Sequence, residues 1–259
     1  MALSEYEQQQ VEQVVGHLKK VNSILIITGA GLSADSNLPT YRGVGGLYND
    51  NAEDGMPIEE ALSGHMLRTR PGLPWKYISQ IEKSCRGAVF NRGHEIIAAL
   101  EARFSKVWVL TQNVDGFHQE AGSKNVIDIH GNINTLLCTG CSYREEVQDY
   151  SHLDLPPYCK SCGAVIRPDV VLFGEMLPMD KVARLQKLLD QGFQMVFTIG
   201  TSSLFPYIVE PVLDAKRWNT PTVEINPGET DLSRMVDIKI TAGAAEALDA
   251  IWKAWELGN

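Results

Sequence analysis

Four of the five cysteines stand as two C-x-x-C pairs, Cys138 with Cys141 and Cys159 with Cys162. Each pair offers two thiolates to one edge of a tetrahedral ion, and the separation of the pairs fits a zinc ribbon, so the spacing points to one bound Zn2+. Four thiolates fill the coordination sphere and leave no position for a reactive water, which makes the expected metal structural. The alternative, two disulfides or idle thiols, fits poorly with opening residues that are polar and acidic, Met-Ala-Leu-Ser-Glu-Tyr-Glu. Cys85 reads as a small apolar filler.

A second pattern lies nearer the start. An apolar run, residues 24–27, closes in Thr28, and Gly29-x-Gly31-x-x-Ala34 follows at once, which is the glycine spacing of a dinucleotide-binding turn. Glycine lets the backbone turn tightly and approach a pyrophosphate, whose charge is met by free amides at a helix start. The same spacing also fits a strand-to-helix turn that holds nothing. Pro39 should cut the helix short, and no strand ending in an acid follows about 20 residues on, as a standard βαβ unit has. A nucleotide here would be held by the loop 40–48, in which Arg42 supplies a cation, Tyr41 and Tyr48 flat faces, and Gly43, Gly45 and Gly46 mobility.

The elements that must position these residues follow from periodicity. Ser4 with Glu7 resembles a capping box ahead of Val11, Val14, Val15 and Leu18 at helical spacing. Short helical pieces are expected over 58–67 and 75–81, between Pro57, Pro71 and Pro74, and longer ones over 95–104, 179–191 and a closing segment with Leu248, Ile251, Trp252 and Trp255. Strands are expected over 107–111, 125–129, 193–199, 221–225 and 237–241. Five strand ends then carry small or polar residues: Gly29-Ala30-Gly31, Gln112-Asn113-Val114-Asp115, His130-Gly131, Gly200-Thr201-Ser202 and Asn226-Pro227-Gly228. In an open parallel sheet ligands bind beyond the carboxyl ends of the strands, so these residues would share one rim.

Neither a G-x-S-x-G elbow nor an H-E-x-x-H motif is present, which sets aside serine hydrolases and zinc proteases. Among six histidines, His130 alone ends a strand on the expected rim, followed by a glycine that would let a ligand approach. It is either a general base or a packed structural histidine. Asn113 and Asp115 could hold ribose hydroxyls or a carboxamide. The 259 residues carry a formal charge of −9 with 44% hydrophobic residues, which describes a globular protein unsuited to broad electrostatic contact with nucleic acid. No run of about 18 apolar residues occurs, and the reading is cytoplasmic.

Taken together, Gly-Ala-Gly-Leu-Ser with Tyr-Arg-Gly, Thr-Gln-Asn-Val-Asp, His-Gly, the paired C-x-x-C knuckles, residues 167–175, Gly-Thr-Ser and the late Asn226 resemble the sirtuins, NAD-dependent protein lysine deacylases. The motifs run in family order over roughly residues 24 to 245. The resemblance implies an α/β fold, a Rossmann-like parallel sheet with a smaller zinc-ribbon plus helical module. Residues 1–49, 88–131 and 176–259 would form the NAD-binding domain, residues 50–87 the helical module and residues 132–175 the zinc ribbon. It also implies His130 as the base and Asn113 as a catalytic partner. Gly29, Ala30, Gly31, Ser33, Tyr41, Arg42, Gln112, Asn113, Val114, Asp115, Gly200, Thr201, Ser202, Asn226, Pro227, Gly228 and Ala244 would bind NAD, and Val171, Phe173, Gly174 and Glu175 would pair with an acyl-lysine peptide as an added strand. In the reaction so implied, the acyl oxygen displaces nicotinamide at the ribose, a base activates a ribose hydroxyl, and O-acyl-ADP-ribose leaves beside free lysine.

One departure bears on the acyl group. Sirtuins that act on succinyl- and malonyl-lysine carry a Tyr-x-x-Arg pair where this chain has Ile78 and Ile81, and apolar residues would not stabilise a buried carboxylate. Acetyl or longer neutral groups are therefore expected, unless Arg68, Arg70 or Arg86 substitutes. The proline of the 200–206 loop also comes one position early. An ADP-ribosyltransferase or NAD glycohydrolase on the same scaffold is the nearest alternative; a zinc-ribbon binding module with a vestigial nucleotide fold is a more distant one.

Overall fold

The computed structural model describes residues 3–40 and 55–258; Tyr41, Arg42 and the glycines of their loop lie outside the described residues. Helix α1 (Glu5–Leu18) begins at the expected capping box, with Ser4 Oγ accepting from the Glu7 amide and the Glu7 carboxylate accepting from Ser4 N. Strand β1 (Ser23–Thr28) follows, and the glycine turn opens only a short α2 (Ala30–Ala34). The chain leaves it through Asn37, in the left-handed region at φ 62°, ahead of Pro39. Next come α3 (Ile58–Ala61), α4 (Gly64–Thr69), α5 (Gly72–Cys85), α6 (Arg92–Leu100), β2 (Lys106–Thr111), α7 (Phe117–Glu120) and β3 (Val126–Asp128). They are followed by β4 (Gly131–Cys138), β5 (Arg144–Glu146) and β6 (Ile166–Val170). The remainder is α8 (Met179–Asp190), β7 (Met195–Ile199), α9 (Pro206–Arg217), β8 (Thr222–Ile225), β9 (Ile238–Ile240) and α10 (Ala244–Leu257).

Six strands form one sheet in the order β3-β2-β1-β7-β8-β9, every pairing parallel. Strand order runs outward from β1 in one direction and from β7 in the other, so the two meet as neighbours at a topological switch point, where ligands of such sheets bind. One face is covered by apolar residues of α1, α6 and α10 (Val14, Ile97, Leu248), the other by those of α8 and α9 (Leu185, Ile208, Val212). Both faces being buried explains why the central strands read as continuous apolar runs.

A second, three-stranded antiparallel sheet, β5-β4-β6, shares a separate core with α3 to α5, built around the fully buried Trp75, whose indole N–H donates to the Ile166 carbonyl at 2.9 Å. Helix α9 is a long element the sequence reading lacks. Pro206 occupies its first position and the buried Pro211 lies inside it, and the segment is helical nonetheless because its apolar stripe packs on the sheet.

Gly131 corrects another expectation. It adopts φ 91°, and a Cβ there would fall onto the Asp169 carbonyl oxygen. Its bare backbone therefore serves the close approach of β6 to the start of β4 and clears no space for a ligand. Gly131→Ala should cost at least about 2 kcal/mol of stability through both overlap and φ strain, read as a lower denaturant midpoint; an unshifted midpoint would contradict this packing.

Candidate functional site

At the switch point the turn after β1 rests directly on the turn after β7. The Gly29 amide donates to Ile199 O and the Gly31 amide to Gly200 O, at 3.1 and 2.8 Å. A Cβ on Gly29 would meet Gly200 O at 2.8 Å, and one on Gly31 would meet Gly200 Cα at 2.6 Å. Gly200 itself sits at φ 59°, where a Cβ would collide with the Leu32 amide nitrogen. These glycines are thus demanded by the packing of one turn on the other, a constraint the spacing did not show.

Beside this interlock lies a small cavity walled by Ala30, Ser33, Ile81, Cys85, Asn113 and Asp115, with Val114 also on its lining. Asn113 Nδ2 donates to Gly29 O and to Ser33 Oγ, both at 3.1 Å, and Ser33 Oγ donates to Asp115 Oδ2 at 2.7 Å. The Phe117 amide donates to the other Asp115 oxygen. Burial nonetheless holds the Asp115 carboxyl above the usual carboxylate range. The same burial, with Asp115 and Glu82 adding charge repulsion, pushes the Cys85 thiol up to about 11, so it stays an unreactive filler. An apolar slot with an amide and a carboxyl on one wall suits a flat ring bearing a carboxamide.

The β2, β7 and β8 ends are tied to each other. Gln112 Nε2 donates to Thr201 Oγ1 at 2.7 Å, and Asn226 Nδ2 donates to Thr201 O at 3.0 Å. Asn226 Oδ1 in turn accepts from the Gly228 amide, while Pro227, Gly228 and Ser202 stay exposed. Ala244 is buried in the first turn of α10, next to the Ala245 amide that Asp35 caps. Of the sequence-expected cofactor residues, all but Tyr41 and Arg42 lie within the described residues, and those after β1, β2, β7 and β8 are joined by hydrogen bonds.

His130 follows β3 on the same rim. Its Nδ1 lies 3.0 Å from Gln112 O and its Nε2 lies 2.6 Å from Tyr207 Oη. A carbonyl only accepts, so Nδ1 carries the proton and Nε2 presents a lone pair. Burial, with Lys181 as a lesser positive neighbour, lowers the ring's pKa from its ordinary 6.5 against the opposing pull of the Gln112 carbonyl. The result is a neutral imidazole, fit to take up a proton. Sequence reasoning missed Tyr207 and the stacked Phe205, which meet the ring edge to face; an aromatic pair straight after a polar strand end is the signal that could have found them.

It also missed what lies beneath. Thr28 Oγ1 donates to Thr111 Oγ1, which accepts from the Asn113 amide as well. His118 Nε2 must therefore donate to Thr28 Oγ1, 2.9 Å away. His94 packs against His118 with ring centroids 5.0 Å apart, its Nδ1 accepting from the Asn91 amide. Neither His118 Nδ1 nor His94 Nε2 has a partner. Burial pushes His94 down to about 4, and burial with the His94 charge pushes His118 down to about 3.

The segment after β6 connects the site to the smaller sheet. The Val171 amide donates to His130 O at 2.8 Å, and Phe173 exchanges backbone bonds with Leu62 and Gly64. Gly174 takes φ 75°, and Glu175 receives a two-pronged pair from Arg167 at 2.6 and 2.8 Å. At the far end, all four ligand atoms of Cys138, Cys141, Cys159 and Cys162 lie within 4.8 Å of one another, with Sγ pairs at 3.4 and 3.7 Å. A tetrahedral zinc with Zn–S near 2.3 Å sets sulfurs about 3.8 Å apart, so the donor set fits that ion.

The sequence model of the Sir2 family matches residues 29–206. The NAD-dependent protein deacylase 2 of Pseudomonas aeruginosa is 49% identical over 244 residues, covering 93% of this chain and 95% of that protein. A Sir2 homolog solved as an NAD complex is 30% identical with a TM-score of 0.85, over 95% of this chain and 94% of the other. A Sir2 complex with a p53 peptide and NAD+ is 26% identical with a TM-score of 0.83, over 95% and 99%.

The buried histidine pair gives the site a measurable pH signature. Both rings stay neutral in the fold down to about 4 and 3, whereas in the unfolded chain they charge below about 6.5. Between these limits the unfolded state binds more protons, so stability falls as pH falls, by up to about 1.4 kcal/mol per pH unit for each ring. Asp115, shifted upward, opposes this with one proton against two. Denaturant unfolding at pH 7.5 and pH 5 should show the drop, and His94→Gln should flatten it.

Proposed function

The chain belongs to the Sir2 family, and from that premise we propose that it is an NAD-dependent protein lysine deacylase with His130 as its general base. One observation carries this reading most: a neutral imidazole whose Nε2 lone pair stands on the rim of the switch-point cleft, among the Asn113, Asp115 and Thr201 hydrogen bonds. NAD, when bound, would supply a ribose carbon to the acyl oxygen with nicotinamide as the leaving group, and one water would be consumed in releasing free lysine and O-acyl-ADP-ribose. The slot walled by Ala30, Ser33, Asn113 and Asp115 holds the carboxamide, and its closed polar network keeps water from that face. Gln112, Thr201, Ser202 and the 226–228 turn hold the sugars and phosphates, Ala244 lies toward the adenosine end, and Tyr41 and Arg42, outside the described residues, complete the proposed cofactor set. His130 takes a ribose hydroxyl proton at Nε2 while Gln112 O fixes its tautomer.

The peptide strand adds beside residues 171–175. Phe173 already spends its amide and carbonyl on Leu62 and Gly64, and Val171 its amide on His130 O, so pairing falls to the Val171 carbonyl and to Gly174, with Glu175 fixing the turn through Arg167. We divide the chain as the sequence reading does, residues 1–49, 88–131 and 176–259 binding NAD, and residues 50–87 and 132–175 forming the small domain. Four thiols arranged for one metal suit a reducing compartment, and we place the protein in the cytoplasm. Among the described residues no helix is long and apolar enough to cross a membrane.

The acyl preference follows from α5. Ile78 is buried against the small core and Ile81 lines the cavity, while Arg86 is held by both Glu82 oxygens. Ile78 and Ile81 offer an acyl carboxylate neither the hydroxyl nor the guanidinium of the Tyr-x-x-Arg pair, so acetyl-lysine should turn over at least about tenfold faster than succinyl-lysine on one peptide. Faster removal of succinyl would overturn that preference.

The decisive assay follows nicotinamide and O-acyl-ADP-ribose together across acylated peptides. His130→Ala should lose about 100-fold to 10,000-fold of product formation with folding retained. Undiminished turnover would remove the imidazole from the chemistry, and nicotinamide release without any acylated peptide would favour an NAD glycohydrolase instead.

A further inference from the structure

Nε2 of His130 has one lone pair, and in this structure that lone pair is already engaged. Tyr207 Oη lies 2.6 Å from it, and because Nδ1–H is spent on Gln112 O the tyrosine must be the donor. Burial pushes the Tyr207 hydroxyl up to about 12, so it remains a protonated donor near neutral pH. Phe205 stacks on the Tyr207 ring and both aromatics meet the imidazole edge to face, which aims the hydroxyl at the nitrogen.

Resting on the deacylase reading, we propose that Tyr207 is a positioning residue that gates the base: its hydroxyl holds the His130 lone pair until the nicotinamide ribose of NAD arrives, and then gives it up. A ribose hydroxyl and the tyrosine hydroxyl are mutually exclusive partners of that atom, so NAD competes with Tyr207 for the base. The backbone that carries the tyrosine is suited to yielding. Tyr207 lies in the first turn of α9, and Pro211, which has no N–H, cannot donate the helix bond that the Tyr207 carbonyl would otherwise receive. Four residues upstream, Ser203 is a non-glycine residue at φ 54°, and its buried Oγ has no partner. Such strain persists only where the surrounding structure imposes it, and it collects at ligand clamps and switch segments. The segment is continuous with Thr201, which Gln112 and Asn226 grip, so cofactor binding at the strand end and release at the base run along one short stretch of chain.

Tyr207→Phe keeps the stacked ring and removes only the hydroxyl. Calorimetric titration with NAD should show roughly threefold to tenfold tighter binding to this variant than to the wild type, the size of one neutral hydrogen bond, and kcat/KM for NAD should rise by a similar factor. Equal or weaker NAD binding would overturn the gate, as would a tenfold fall in kcat, which would mean that the hydroxyl carries the proton. The wild type offers a second measurement: the 15N resonance of His130 Nε2 should report a hydrogen-bonded acceptor in the free protein and should move on adding NAD. A resonance that NAD leaves in place would also overturn it. A protein that binds NAD yet deacylates no peptide would count against the deacylase reading alone, since the binding comparison would still be read.

Discussion

Backbone laid on backbone at the switch point is the constraint the rest of the site depends on. Gly29, Gly31 and Gly200 leave no gap where side chains would stand, and the amides of Gly29 and Gly31 are bonded across to Ile199 and Gly200. A contact between main chains cannot change its geometry by a rotamer shift, so two strand ends that are far apart in sequence are held in one fixed relation. Asn113 hangs from this pair through Gly29 O, and Gln112 reaches Thr201.

His130 inherits its orientation from the same source at one remove. Its Nδ1–H is held by Gln112 O, and the Gln112 amide is itself bonded to Thr28 O. The imidazole is therefore oriented by main-chain groups of two neighbouring strands, which fix both the tautomer and the direction of Nε2. The Thr28, Thr111 and His118 chain below it fastens the Asn113 amide from the interior. Polar groups this deep stabilise a site only when bonded to each other, and the two unpartnered histidine nitrogens mark where the network ends.

What could be read from the sequence was local or additive. Strand ends rich in small and polar residues, the capping box and the two C-x-x-C pairs each declare themselves within a few residues, and the parallel sheet brings the first group to one rim. What could not be read was pairing at long range. Tyr207 meets His130 across a separation of 77 residues, and no periodicity encodes that meeting. Helix α9 is hard to read because Pro206 and Pro211 interrupt its pattern, although the apolar stripe of Ile208, Val212 and Ala215 outweighs them. The glycines also carry a packing constraint that the motif does not reveal: absence of a side chain looks the same in sequence whether a ligand or another strand fills the space.

The cysteine cluster and the base stand at opposite ends of one ribbon. Strand β4 begins at Gly131, next to His130, and ends at Cys138; β6 pairs with it from Cys138↔Ile166 back to Gly131↔Val170, and the next amide, Val171, returns to His130 O. Short antiparallel strands are marginal by themselves, and β5 is a fully exposed edge of three residues. Four thiolates drawn onto one ion fasten the end of this ribbon away from His130, and the free energy of metal binding becomes free energy of folding. The metal thus acts on the site only through geometry: by holding β4 against β6 it keeps the segment that begins at Val171 in register with the His130 carbonyl.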